Sequence, residues 1–179
     1  MKSIIVVILA AIFLLAGCAG VQKKPYVINI SSPYVSPFKD GNKIGTATVK
    51  GNAFLRQRGG GVVTCAGYKA GLVPLTSYAK QRIQKLYQTT DGTKLYQDVS
   101  DFAQYSGFEY RPDVPEYYED HFEADCNSNG IFVFNNIPAG EYFVYASVYW
   151  QVGNSGQGGH VGKYITVLDG QSYDLVLTN

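Results

Sequence analysis

Side chains able to do chemistry are concentrated between residues 98 and 130. Nine carboxylates fall in residues 98–125, from Asp98, Asp101, Glu109 and Asp113 through Glu116, Glu119, Asp120, Glu123 and Asp125, with Arg111 the one base among them. Interleaved are seven rings: Phe102, Tyr105, Phe108, Tyr110, Tyr117, Tyr118 and Phe122. Rings offer flat apolar faces and carboxylates accept hydrogen bonds from hydroxyls, so the mixture suits recognition. Nine carboxylates spread over loops single out no acid and base pair. The next residues, Asp125-Cys126-Asn127-Ser128-Asn129-Gly130, alternate oxygen ligands and end on glycine, like the first half of a calcium loop. Position twelve of that loop would be Asn136 where a bidentate Glu is required, and a β run follows where a helix should be. These residues therefore read as a β-turn, and no metal or cofactor is expected. No Gly-x-Ser-x-Gly elbow is present, and His160, preceded by Gly158-Gly159, reads as a loop residue.

The elements that must hold these groups are mostly strands. Gly45 to Arg56 alternates, with Ala47, Val49, Ala53 and Leu55 on one face and polar residues on the other, as in a half-buried strand. Gly51 within it suggests a bulge. Val62–Cys65 and Ala70–Leu75 follow as short strands. From Ser77, placed to cap it, a helix is expected to run to about Tyr87 on the spacing of Ala79, Ile83, Leu86 and Tyr87, with further strand as the alternative. The Ile131–Phe134 run and the Glu141–Tyr149 run are separated by the turn residues Asn135 to Gly140, and both carry apolar side chains on two faces. Gly153 to Gly159 reads as a flexible, exposed loop beside Trp150. Val161–Leu168 and Gln171–Thr178 read as a hairpin around Asp169-Gly170, with Tyr173, Leu175 and Leu177 inward.

The amino terminus and the cysteines bear on compartment. Met1-Lys2-Ser3 precedes an unbroken apolar run of 12 residues, Ile4 to Leu15, too short for a stable transmembrane helix and suited to a signal segment. Leu15-Ala16-Gly17-Cys18 resembles the lipobox of bacterial lipoproteins. That resemblance implies cleavage before Cys18, attachment of lipid to its thiol, and anchoring by acyl chains. Ala19 after it resembles the outer-membrane sorting pattern, so the expected location is the bacterial outer membrane, facing the periplasm. Residues 1–17 are then a signal peptide and 18–40 a lipidated cysteine with a flexible, proline-containing tether. Residues 41–179 form one domain, with an insertion at about 88–125. Val27 to Ile30 could add an edge strand. In an oxidising periplasm the remaining pair, Cys65 and Cys126, is best read as a disulfide. Removing Lys2 balances the charges, which gives no indication of a nucleic-acid binder.

Residues Asn127 to Tyr142, reading NSNGIFVFNNIPAGEY, resemble the turn-and-strand pattern of carboxypeptidase regulatory-like domains, within the broader transthyretin-like and Cna-B-like group. The resemblance implies an antiparallel Greek-key β-sandwich of about seven strands, here with one short helix and the acidic aromatic insertion. Enzymes of that group do not carry over. Intradiol dioxygenases place two iron-binding histidines one residue apart, whereas His121 and His160 are far separated. The transthyretin-related hydrolases end in Tyr-Arg-Gly-Ser, and this chain ends Val176-Leu177-Thr178-Asn179.

Charge is also segregated. Residues 41–90 hold eight basic groups and no acidic one, so they should attract the acidic insertion. Two readings of the insertion stand: its rings pack it onto the sheet while carboxylates face water, or they form a binding surface. The second reading points to Tyr110, Tyr117, Tyr118 and Trp150. The expected role is a non-catalytic interaction module that docks an envelope protein. Carbohydrate or peptidoglycan binding is the alternative, and a mobile-element lipoprotein that masks a surface receptor is a third.

Overall fold

A computed structural model of the chain describes residues 22–38, 41–88, 95–102 and 104–179. The expected signal segment, the lipobox-like residues and Cys18 lie outside the described residues. The elements in order are β1 (Tyr26–Asn29), β2 (Ala47–Arg56), β3 (Val62–Thr64), β4 (Lys69–Pro74), α1 (Ser77–Tyr87) and β5 (Leu95–Asp98). A 3-10 turn (Val99–Phe102) leads to β6 (Phe108–Arg111), α2 (Pro115–Glu119), β7 (Phe122–Asp125) and β8 (Ile131–Ile137). The chain closes with β9 (Gly140–Val152), β10 (Ser155–Val167) and β11 (Ser172–Leu177).

Two sheets enclose the main core. One is antiparallel, in the order β5-β10-β9-β4-β7. In the other, β2 pairs with β11, β8 and β3. The alternation of β2 works as expected: Ala47, Val49, Ala53 and Leu55 are fully buried. They meet Phe132, Phe134 and Ile137 of β8 and Tyr142, Val144, Ala146 and Val148 of β9. The fold is thus a mainly β sandwich, as the sequence leads one to expect. Eleven strands occur among the described residues instead of about seven. The four additional ones, β1, β5, β6 and β7, come from the segment before the sandwich and from the insertion.

Several local expectations are corrected. The helix is capped by Thr76, whose hydroxyl accepts from the Ala79 N–H at 3.1 Å, and Ser77 is the first helical residue. The bulge of β2 lies between Ala47 and Val49. Gly51 instead makes room for Phe132, whose ring would lie 2.2 Å from an added Cβ. Only one face of β8 is apolar and covered, since Val133 is exposed. Residues 155–159 are not a loop: they extend β10, paired with Val148–Val152 of β9 around a turn at Gly153-Asn154. Asp169-Gly170 does not close a hairpin. It carries the chain across the sandwich, where β11 joins β2 in parallel, a connection that two adjacent β runs cannot announce.

The outer face of the five-stranded sheet carries a second core. Val73 and Phe143 of the sheet pack there with Tyr78, Ala79 and Ile83 of α1, Tyr117 of α2, and Ile28. β1 pairs in parallel with β6, and Ile28 and Ile30 are 2% and 6% exposed. The expected flexible tether is therefore corrected over residues 26–30. Burying two isoleucines favours a docked strand over solvated chain, and Pro25 stands just outside the paired residues. The basic and acidic segments meet through Arg82–Asp113 at 2.9 Å and through Lys69 with Glu123 and Asp125 at 3.4 and 3.3 Å. The Lys69 pairs are exposed and contribute little. Cys65 and Cys126 form the disulfide, joining the end of β3 in one sheet to the end of β7 in the other.

Small residues let rings lie flat on the outer face. Gly71 of β4 is beside Tyr145 of β9, and an added Cβ would stand 2.3 Å from the Tyr145 ring. Gly71→Val should therefore lift that ring and destabilise the protein by about 1–3 kcal/mol in urea denaturation. An unchanged midpoint would mean that Tyr145 is not seated against the sheet.

Candidate functional site

The period of two along β9 decides which aromatic residues can share a site. Tyr142, Val144, Ala146 and Val148 point into the main core, and Trp150 continues that side. Phe143 and Tyr145 point out, under α1 and the insertion. The four expected binding residues accordingly separate. Tyr110, Tyr117 and Tyr118 come together on the outer face, whereas Trp150 packs on the main core and lines a different cavity of about 470 Å³ with Arg56, Arg58 and Asn179. Tyr117 is also corrected as a surface residue. It is 6% exposed because α2 turns it inward against Tyr78 and Tyr34. Tyr118, its neighbour, is 46% exposed.

The organising side chain is Arg82 of α1, which sequence reasoning counted only as part of a basic stretch. Its guanidinium carbon lies 3.4 Å from the centre of the Tyr110 ring and 4.3 Å from that of Tyr117, with Tyr118 at 5.0 Å. The guanidinium donates to the Tyr78 hydroxyl at 3.1 Å, to Asp113 Oδ1 at 2.9 Å and to the Tyr118 hydroxyl at 2.8 Å. Tyr118 donates in turn to Asp113 Oδ1 at 2.9 Å, and Tyr78 to the Pro112 carbonyl at 2.6 Å. Burial opposes the charge, but the Tyr118 hydrogen bond and its neighbours outweigh it, so the pKa of Arg82 is raised and the group stays cationic. One cation thus locks helix and insertion together. A signal was available: Tyr78 and Arg82 are four residues apart, on one helix face.

Beneath and beside this cluster is a cavity of about 340 Å³. Phe143 and Tyr145 form its floor, Ile83 and Leu86 of α1 one wall, and Tyr118 and Glu123 its polar rim. Burial raises the pKa of Tyr145, so its hydroxyl stays protonated and can donate. His121 also lines the cavity, its ring 4.4 Å from that of Tyr117, and its Nε2 is buried with no hydrogen-bond partner among the described residues. Burial, with Arg82 and Lys43 adding to it and Asp120 opposing, lowers the His121 pKa to about 4. The unfolded chain therefore takes up a proton between pH 6.5 and about 4 that the folded chain refuses. Stability present above pH 6.5 should fall through this window by on the order of 2 kcal/mol. His160, also depressed by burial, acts in the same sense. Urea titrations across the window should show a shallower decline in His121→Gln, and an undiminished decline would exclude His121 as its main source.

The site combines a flat apolar floor, a stacked cation held by two hydroxyls and Asp113, and a carboxylate at the rim. At the calcium-like turn, Asn127 Oδ1 accepts from the N–H groups of Asn129 and Ile131, closing the turn on itself. Among the described residues no group of three His, Cys, Asp or Glu side chains is arranged to hold a metal ion.

No protein-family model matches the chain, and neither does any curated protein. Among solved structures the chain is similar to a Pseudomonas aeruginosa crystal structure, described as that of a candidate carbohydrate-binding protein, with a TM-score of 0.60 and 24% identity. The match covers 82% of this chain and 100% of that one. At this identity the likeness is one of fold.

Proposed function

We propose that this protein is a lipid-anchored, non-catalytic glycan-binding module of a bacterial envelope, and that the sugar sits in the cavity between α1, α2 and the outer face of the five-stranded sheet. The observation that carries the reading is the cavity itself: a concave space of about 340 Å³ with Tyr145 as floor and Tyr118 and Glu123 at the rim. A sugar presents an apolar C–H face to an aromatic ring and hydroxyls to carboxylates and phenols, the combination offered here. The description of the fold neighbour as a candidate carbohydrate binder points the same way. Docking of an envelope protein by exposed insertion tyrosines is less favoured, because Tyr117 is spent on the interior. Anchoring through Cys18 rests on the Leu15-Ala16-Gly17-Cys18 pattern, and an outer-membrane location on Ala19 after it.

Calorimetric titration with a panel of cell-wall glycan fragments tests the reading. Binding by the wild type, weakened about tenfold by Tyr118→Ala, is the expected result. Analysis of the recovered glycan should find no new reducing ends. Absence of heat across the panel removes the glycan reading, and turnover of the fragments removes the non-catalytic one.

A further inference from the structure

A second cavity, of about 280 Å³, opens on the same face of the sheet. Its walls include Tyr149 of β9, Tyr105, and Phe108 at the start of β6, with Ser106 among its polar groups. His160 of β10 lines both this cavity and the one beside Arg82. The His160 ring is fixed there, its Nδ1 hydrogen-bonded to the Ser147 hydroxyl at 2.9 Å and its Nε2 to the Tyr149 hydroxyl at 2.6 Å. Both nitrogens are used within the protein, so the ring is a rigid divider instead of a ligand-binding group. Tyr145 and Tyr149 lie two steps of the outward register apart on β9, and each belongs to one of the two cavities.

We propose that the two cavities are neighbouring subsites of one groove that takes an extended oligosaccharide, with His160 as the saddle between them. The inference rests on the glycan reading and adds the class of ligand: a linear chain of several sugars in place of a single ring. Repetition of an aromatic wall with flanking hydroxyl or carboxylate groups is what successive sugar units require. A lone monosaccharide would leave the second set of rings unused. Occupying two linked subsites converts the second contact into an intramolecular one, so affinity should climb with chain length.

The test titrates the full-length protein in detergent with size-fractionated glycan strands of peptidoglycan, from the disaccharide to the octasaccharide. Affinity should rise at least about tenfold along the series. Tyr105→Ala, which removes a wall of the second cavity, should abolish this gain while leaving disaccharide affinity intact. Because Tyr105 also contacts Tyr26 and Phe102, Ser106→Trp provides a second route, blocking the cavity from an exposed position. Tyr118→Ala should weaken every member of the series. Disaccharide binding with no gain in longer strands overturns the groove and spares the proposed function. A gain that survives both Tyr105→Ala and Ser106→Trp overturns the second subsite. No binding by any strand removes both readings together.

Discussion

Replacing Arg82 with alanine should lower the free energy of unfolding by about 3 kcal/mol and abolish the proposed glycan binding. The side chain is 6% exposed and is the shared donor for Tyr78, Tyr118 and Asp113. Removing it leaves two phenol oxygens without their donor and strips the cation from a stack of rings. Stranding Asp113 adds less, because that carboxylate is half exposed and can turn to water. The larger loss is therefore in the aromatic cage, and this is what makes the variant a test of the site as well as of the fold. Arg82→Met, which keeps bulk but no donors, should recover part of the stability and none of the orientation of Tyr118. Arg82→Lys should also fall short, since an ammonium cannot stack flat on Tyr110 while donating in two directions. Urea denaturation gives the first quantity and calorimetry the second. A stability loss below about 1 kcal/mol for Arg82→Ala would mean that the insertion is held by its apolar contacts, with the cation a passenger.

What the sequence disclosed follows from the range of the interactions involved. The alternation of Ala47, Val49, Ala53 and Leu55 is local, and β2 lies as that pattern requires. The runs Ile131–Phe134 and Glu141–Tyr149 read as strands inside the sandwich, and Phe132, Phe134, Tyr142 and Val144 within them are buried. Cys65 and Cys126 could be paired because only two thiols remained once Cys18 was assigned to lipid. Parallel partnerships were not legible. The pairing of β1 with β6 and of β11 with β2 brings together residues about eighty and more than a hundred positions apart, and nothing in either strand names its partner. At the site, both readings of the insertion hold in part. Tyr117 is packing, Tyr118 is surface, and the difference is a rotation of about 100° between consecutive residues of α2. Trp150 shares only its ring character with the tyrosines, because its even position on β9 sets it on the face opposite Tyr145. Arg82 is not legible in the sequence, because a basic residue in a basic stretch looks solvated until the rings that enclose it are placed.

Serine at both Cys65 and Cys126 should cost about 4 kcal/mol of stability, more than the loss of the Arg82 side chain. The figure comes from loop closure: the bridge spans a sequence separation of 61, and opening that loop returns conformational freedom to the unfolded chain. That loop contains α1, β5, β6, α2 and β7, which is to say nearly every element that builds the outer-face site. Its two ends are tied at the sandwich by the bridge, and its middle is tied to itself by Arg82. The two restraints act on the same loop, so their losses should not add. With the disulfide absent, the Arg82 cluster becomes the main restraint on the insertion, and Arg82→Ala should then disturb it more than in the oxidised protein. A double-mutant cycle in urea, run on Arg82→Ala, the paired serine variant and their combination, reads this coupling directly. Strict additivity would show that bridge and cage restrain separate parts of the chain. A combined loss exceeding the sum would show that bridge and Arg82 cluster restrain the outer face as one unit.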